Sequence, residues 1–133
     1  MKKVKIKALN GYIYVESFNG KHNEENDRAK IYDENMAYID YICLDGVDKK
    51  QYKNELKALA DAKDFCEFAD LLGYTSYDFS DNLGYLLASI FDDCDDAEWE
   101  EIENKLQTMA EQDILTEYCI NRIGNTYFYL GIY

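Results

Sequence analysis

The chain has 133 residues, of which 47% are hydrophobic and 15% aromatic, and its formal net charge at pH 7 is −13. This length suits one domain with its own hydrophobic core, and the high aromatic content excludes intrinsic disorder. A negative charge of this size disfavours direct binding to nucleic acid or to anionic membranes, and it favours partners with cationic surfaces.

The charge is divided unevenly along the chain. Residues 1–63 contain 12 Lys and Arg against 11 Asp and Glu, whereas residues 64–133 contain 2 against 16. The second half therefore carries the whole negative excess, and an acidic binding surface is expected there.

The beginning of the chain has the pattern of antiparallel strands. Lysines alternate with apolar residues near the N-terminus, which is typical of a strand with one solvated face. We interpret these lysines as protection of a sheet edge against aggregation. The pair Asn10-Gly11 predicts a two-residue hairpin turn, with residues 12–18 as the return strand. Two more strands are expected over residues 29–33 and 36–44, although the stretch MAYIDYICL also fits a helix.

Four helices are predicted in the middle of the chain. Three begin at capping boxes, with Asp48, Asp64 and Asp95 as the caps, and Ser80 can cap the remaining one. Gly73 is expected to end the second helix in the left-handed conformation. The third helix has an apolar stripe formed by Leu83, Leu86, Leu87, Ile90 and Phe91, and the fourth has one formed by Trp99, Ile102, Leu106 and Met109.

The end of the chain returns to a strand pattern. Residues 116–122 and 126–132 are expected to form a hairpin around a turn at residues 123–125. The order of strands, helices and strands predicts one α+β domain over residues 1–133. In it, an antiparallel sheet made of the N-terminal hairpins and the C-terminal hairpin is packed by about four helices.

The cysteines and the N-terminus indicate the compartment. The chain has no CxxC pair, no continuous apolar segment of the kind found in signal peptides, and four cysteines spaced more than twenty residues apart: Cys43, Cys66, Cys94 and Cys119. We therefore expect a cytoplasmic protein with free, mostly packed thiols and no metal site.

Little in the sequence indicates catalysis. The single histidine, His22, lies in the polar segment KHNEEN and is expected to be a solvated loop residue. None of the seven glycines forms a dinucleotide- or phosphate-binding motif, so no cofactor is expected. We interpret the chain as a binding protein rather than an enzyme, with a small enzyme as the least favoured alternative.

The clearest signal is the acidic stretch FDDCDDAEWEEIENK at residues 91–105. Eight of the twelve positions between its first and last carboxylates are acidic: Asp92, Asp93, Asp95, Asp96, Glu98, Glu100, Glu101 and Glu103. Carboxylates about 6 Å apart in water repel each other by roughly 0.7 kcal/mol before screening, so the cluster opposes folding.

Local structure accounts for part of this cluster. Acids in the first turn of a helix complement its dipole, and Glu101 can pair with Lys105 one helical turn later. Neither account covers Asp92 and Asp93, which are expected at the C-terminal end of the preceding helix, where the dipole disfavours anions. An EF-hand is a poor fit, because the position where its glycine belongs is occupied by another residue.

The remaining explanation is a cationic protein surface as the partner. Carboxylates three and four residues apart on a helix are about 5–6 Å apart, which is comparable to the phosphate spacing along a nucleic-acid strand. Tyr74 and Tyr77 are candidate aromatic anchors beside this charge, with core packing as the alternative. The predicted partner-binding residues are therefore these two tyrosines and the eight carboxylates.

In size and one-sided negative charge the chain resembles small acidic inhibitors of nucleic-acid enzymes. That group includes phage-encoded anti-CRISPR and anti-restriction proteins and the immunity proteins that neutralise nuclease toxins. The resemblance implies an inhibitor that mimics nucleic acid and occupies the basic groove of an effector, and it assigns no individual residue. Two alternatives stay open: an immunity protein or antitoxin for a basic toxin, and an assembly protein that oligomerises through its tyrosine-rich strands.

Overall fold

The computed structural model describes residues 1–21, 27–74, 76–78, 83, 86–87, 96–109 and 111–130, with the backbone alone at residues 76–78, 96–99 and 107. The elements in chain order are β1 (Lys2–Ile6), a 3-10 turn (Lys7–Leu9), β2 (Gly11–Val15), β3 (Arg28–Tyr32), β4 (Tyr38–Cys43), α1 (Lys49–Ala60), α2 (Phe65–Leu71), β5 (Ser76–Asp78), α3 (Asp96–Thr108), α4 (Glu111–Glu117), β6 (Asn121–Ile123) and β7 (Thr126–Leu130).

The strands form two antiparallel sheets. The first has four strands in the order β1-β2-β3-β4, and the second has three in the order β5-β7-β6. The predicted α+β class with an antiparallel sheet and helices in the middle of the chain is confirmed. The C-terminal hairpin, however, pairs with β5 in the second sheet instead of extending the first.

The connection between β1 and β2 is longer than predicted. Ile6 pairs with Gly11, so Gly11 already belongs to β2 and the Asn10-Gly11 pair is not a two-residue turn. Residues 7–9 form a 3-10 turn that buries Leu9, and Asn10 ends it in the left-handed conformation at φ 50°. Only Asn10 of the Asn-Gly pair is left-handed, whereas a type I′ turn requires positive φ at both of its central residues.

The predicted strands around residue 35 are confirmed, and the helical alternative for MAYIDYICL is wrong. β3 and β4 pair from Arg28 with Cys43 to Tyr32 with Tyr38. The register shifts near Ile31 and Tyr32, which places both Ile39 and Asp40 in buried positions. This bulge interrupts the strict alternation of the strand, and that is why its pattern also resembles a helix.

The predicted starts of the first two helices are confirmed. Asp48 and Gln51 form a complete capping box at α1, with both hydrogen bonds present. At α2 the Asp64 carboxylate accepts the Glu67 N–H at 2.9 Å, but the Glu67 carboxylate accepts the N–H of Lys63 instead of returning to Asp64. Gly73 follows α2 with φ 84°, as predicted for a left-handed end.

The two later predicted helices are described in part, and their predicted caps, Ser80 and Asp95, lie outside the described residues. Of the third predicted helix, only Leu83, Leu86 and Leu87 are described, and they have helical backbone. In α3 Ile102 is buried as expected, but Met109 lies beyond the helix end and is exposed.

The predicted strand over residues 116–122 is wrong in its first part. Thr116 lies in α4, and the chain turns at Cys119, which has φ 56°. The N–H of Ile120 then donates to the Leu115 carbonyl at 2.7 Å, which closes the helix end. A cysteine in the left-handed conformation gives no sequence signal of the kind that glycine gives.

Two hydrophobic clusters form the core of the described part of the chain. The larger one joins both sheets to α1 and α2, with the rings of Phe65 and Phe68 packed against Phe128 of β7. The smaller one consists of Leu86, Leu87, Ile102, Leu115 and Ile120, and it holds α3 and α4.

A buried carboxyl group ties the β3–β4 turn to β6. Asp33 is 1% exposed, and its carboxylate accepts the N–H groups of Asn35 at 2.8 Å, Ala37 at 2.9 Å and Arg122 at 3.1 Å. Burial raises the pKa of the Asp33 carboxyl, and these hydrogen bonds offset part of that rise. The bond to Arg122 is one of the links between the first and second sheets.

The thiols are less buried than predicted. Cys43, Cys66 and Cys119 are free, but each is exposed, and Cys94 lies outside the described residues. His22 also lies outside them. Within the residues that the structure describes, no helix is long and apolar enough to cross a bilayer.

Candidate protein-binding surface

Helix α3 presents a row of carboxylates to solvent. Its inward side is formed by Ile102, which is buried, and by Leu106, which packs partly against the smaller core cluster. Glu100, Glu101 and Glu103 are exposed. Because Glu100 and Glu103 are three residues apart, they lie on the same side of the helix at about 5–6 Å.

The other predicted acidic residues are described less completely. Asp96 and Glu98 lie in the first turn of α3, where the helix dipole favours negative charge. Asp92, Asp93 and Asp95 lie outside the described residues. The described portion of the predicted acidic cluster therefore lies on α3.

The two basic residues of the second half both contact α4. Lys105 Nζ lies 3.5 Å from a carboxylate oxygen of Glu117, and Arg122 lies 3.9 Å from Glu111. The predicted pairing of Lys105 with Glu101 is therefore wrong, because the lysine reaches across to α4. Lys105 and Arg122 hold α4 against its neighbours instead of neutralising the row on α3.

Glu111 is also tied to the second sheet. Its carboxylate accepts a hydrogen bond from the Tyr127 hydroxyl, and the Arg122 guanidinium lies 5.4 Å from the centre of the Tyr127 ring. Burial, together with the hydrogen bond to Glu111, raises the pKa of Tyr127 to about 12. This cluster fixes the start of α4 on the β6–β7 hairpin.

We call α3 and α4 together the acidic helix pair, residues 96–117. The pair contains eight carboxylates and one lysine. Its described carboxylates on α4, at Glu111, Asp113 and Glu117, are exposed like those on α3. Among the described residues, no three His, Cys, Asp or Glu side chains come together in a way that could hold a metal ion.

The two predicted aromatic anchors lie on different parts of the fold. Tyr74 follows α2 and packs partly against the larger core cluster. The pKa of the Tyr74 hydroxyl is raised, first by burial and second by the negative charge of Asp40. Tyr77 lies in β5 opposite Tyr129 of β7, and Tyr129 packs partly against the smaller core cluster that holds α3 and α4. The described contacts of Tyr74 are thus with the β4 side of the molecule and not with the acidic helix pair.

The structure also defines a surface that the sequence reasoning missed. The buried residues of the four-stranded sheet face α1 and α2, so the alternate residues form the opposite face. We call this the outer sheet face, and it consists of Lys3, Lys5, Tyr12, Tyr14, Arg28, Lys30, Tyr32, Tyr38 and Tyr41. Part of the signal is present in the sequence, because Tyr12 and Tyr14 alternate with the buried residues of β2, and Arg28 and Lys30 alternate with those of β3.

The cations and rings of the outer sheet face are in contact with each other. Lys3 Nζ lies 3.9 Å from the centre of the Tyr12 ring, and the Arg28 guanidinium lies 4.5 Å from that of Tyr41. The rings of Tyr12 and Tyr14 meet edge to face at 5.4 Å. A hydrogen bond with Tyr14 is the main cause of a raised pKa at Tyr12.

The comparisons with known proteins add no relative. No protein-family model, no curated protein and no solved structure matches this chain.

Proposed function

We propose that this protein is a small acidic inhibitor that binds the basic nucleic-acid groove of an effector nuclease, with the acidic helix pair as its contact. The observation that supports it is the distribution of cations. The second half of the chain has two basic residues, and both are in ion pairs with α4, so Glu100, Glu101 and Glu103 remain as an exposed anionic row.

The chemistry of such a row favours a cationic groove. Helical carboxylates about 5–6 Å apart offer a repeated negative charge of the kind that phosphate-binding Lys and Arg side chains accept. Ile102 anchors α3 in the smaller core cluster, which also contains Leu115 of α4, so the backbone that carries the row is already ordered before binding. The conformational freedom lost on binding is then mainly that of the Glu side chains. Complementary charge would also accelerate the encounter and make it sensitive to salt.

The direct test is competition with nucleic acid. The full chain is titrated into purified DNA- and RNA-cleaving nucleases, including guided and restriction nucleases, each with a fluorescent substrate strand in its groove. We expect displacement of the strand from at least one nuclease, together with loss of cleavage, and weakening of both effects as salt is raised.

Two results would contradict the proposal. The first is a nuclease that binds the protein while its substrate strand stays in place, since the groove would then be unoccupied by the protein. The second is binding that is insensitive to salt, which indicates an apolar interface. An immunity protein would use the same surface, and it is distinguished by inhibition confined to one cognate toxin.

A further inference from the structure

A second surface of this protein has a composition opposite to that of the acidic helix pair. The outer sheet face carries four cations, Lys3, Lys5, Arg28 and Lys30, spread over β1 and β3. Five tyrosines lie among them, on β2, β3 and β4. The helices that pack on this sheet, α1 and α2, lie on its other face.

Carboxylates lie close to this face within the sheet as well as at its margins. Asp40 in β4 is buried, and its negative charge contributes to the raised pKa of Tyr38, after burial of that tyrosine. Glu16 follows β2 directly, at the end of the sheet where its N–H donates to the Lys30 carbonyl. Glu34 lies at the other end, in the β3–β4 turn, and its carboxylate is occupied by the N–H groups of Tyr12 and Gly124. The exposed side chains of the outer sheet face are therefore mainly cations and tyrosines, with the half-buried Glu16 opposite Lys30 and the buried Asp40 close to Tyr38.

We propose that the outer sheet face binds single-stranded nucleic acid, with the bases stacked on the tyrosines and the phosphates paired with Lys3, Lys5, Arg28 and Lys30. Aromatic rings on an open sheet present a flat surface to any base, and neighbouring cations attract the backbone between bases. Tyr38 and Tyr41, at 51% and 37% exposure, are the most accessible rings of the set.

The spacing of the face fits a short segment. Neighbouring strands are about 4.8 Å apart, so the four strands span about 14 Å across the face. A sheet of this width stacks about two or three bases, and its cations can then contact the phosphates on either side. On this one face, Lys3 lies over the Tyr12 ring on the β1–β2 pair and Arg28 lies over the Tyr41 ring on the β3–β4 pair, so both halves of the face have a cation beside a ring.

The net charge of the chain does not prevent this binding. At physiological ionic strength the screening length is about 8 Å, so a phosphate in contact with the outer sheet face responds mainly to the cations beside it. The whole-chain charge of −13 arises from residues 64–133, whereas every residue of this face lies before residue 42. The sequence-based expectation of no nucleic-acid partner rested on the large negative charge of the chain, whereas the cations of this face lie together on one side of the first sheet.

The proposal is independent of the proposed inhibitor function, because it uses different residues. The test is fluorescence anisotropy of a labelled oligo-dT of about twelve nucleotides, a length within the range that single-strand-binding domains cover. The full chain is titrated at several salt concentrations, and its unfolding curve is recorded for every variant.

Three variants make the test specific. Tyr38→Thr with Tyr41→Thr keeps strand-forming residues but removes two rings, and we expect about a fivefold or larger loss of affinity, whereas Tyr38→Phe with Tyr41→Phe should retain binding. Lys3→Gln, Lys5→Gln and Lys30→Gln together should lower the salt slope by about 2, because each single-strand phosphate contact contributes about 0.7. The matched control replaces the exposed α1 lysines Lys49, Lys50 and Lys53 with Gln, and it should change the affinity less than about twofold.

Four results would overturn the proposal. They are no binding of oligo-dT by the wild-type chain, equal binding of duplex DNA, equal losses in the β1–β3 and α1 lysine variants, and unchanged affinity in the two-Thr variant. If sedimentation shows instead that the lysines of this face hold the acidic helix pair of a second copy, the face is a self-association surface. Oligo-dT binding that persists in Glu100→Lys with Glu103→Lys, even when nuclease displacement is lost, would support this proposal separately from the inhibitor function.

Discussion

Glu34 and Gly124 are 90 residues apart in the chain, yet the Glu34 Oε1 atom accepts the Gly124 N–H at 3.0 Å. The same oxygen accepts the Tyr12 N–H at 3.2 Å. One side chain in the β3–β4 turn thus joins β2 of the first sheet to the β6–β7 turn of the second. This junction holds the nearly neutral first half of the chain against the acidic second half.

Replacement of Glu34 should loosen this junction. Glu34→Ala leaves two N–H groups without their carboxylate acceptor, and we expect a loss of about 2 kcal/mol in the free energy of unfolding, since hydrogen bonds to charged groups contribute about 1.5–3 kcal/mol. Glu34→Gln keeps a carbonyl oxygen at the same position and should lose less than half as much. Urea denaturation measures the free energy of unfolding of both variants. Equal losses would show that the hydrogen bonds accepted by the residue-34 side-chain oxygen do not stabilise the junction.

Gly124 should tolerate substitution less than other left-handed glycines. It has φ 60°, and a Cβ there would meet the Asn10 carbonyl oxygen at 2.7 Å. Gly46 has φ 70° but nothing within 4 Å of its Cβ position, so it serves as a matched control for the backbone cost. Gly46→Ala should lower the free energy of unfolding by about 1–2 kcal/mol, from the strain of a left-handed alanine alone.

Gly124→Ala should lower the free energy of unfolding by about 1–3 kcal/mol more than this control, because the contact between the β6–β7 turn and the β1–β2 turn must open. The comparison is made by thermal or urea unfolding of the two single variants. Equal losses in both would mean that the β1–β2 turn moves away from Gly124 without a penalty.

Tyr127 should make the protein sensitive to alkaline pH. Its pKa is raised to about 12 in the folded chain, against about 10 in an unfolded one. The folded state then holds this proton more tightly, so the stabilisation is fully present below about pH 10 and is lost as the pH rises through about 12. Tyr127→Phe should reduce the fall in the free energy of unfolding over this range. Urea unfolding at a series of alkaline pH values gives the difference, and identical slopes would contradict the assignment.

Much of the fold follows from local sequence signals. The capping box at Asp48 and Gln51 and the glycine end at Gly73 act within a few residues, and such signals are legible without tertiary contacts. The failures occur where distant contacts decide. Cys119 takes a left-handed conformation that no local pattern marks, and β5 pairs with β7 across about fifty residues of chain.

The candidate sites show the same division. The acidic row on α3 could be read from composition, because charge density is a property of the sequence itself. The pairing of Lys105 with Glu117 could not, since it depends on how α4 packs beside α3. The outer sheet face required the strand order, because its tyrosines and cations come from strands separated by loops and are brought together by pairing.

The central claim is that the carboxylates of α3 bind a cationic groove. It is tested by Glu100→Lys with Glu103→Lys, compared with Asp45→Lys with Asp70→Lys, which makes the same charge change at exposed positions outside the acidic helix pair. The measurement is the concentration at which each variant displaces the substrate strand from a nuclease that the wild-type chain inhibits.

We expect the α3 variant to require at least about a hundredfold higher concentration, because close interfacial charge pairs contribute about 1.5–7 kcal/mol each. The control variant should stay within a few-fold of wild type, and both should unfold as cooperatively as the parent chain. Equal displacement by the two variants would contradict the account, since the negative charge of α3 would then have no specific role in binding.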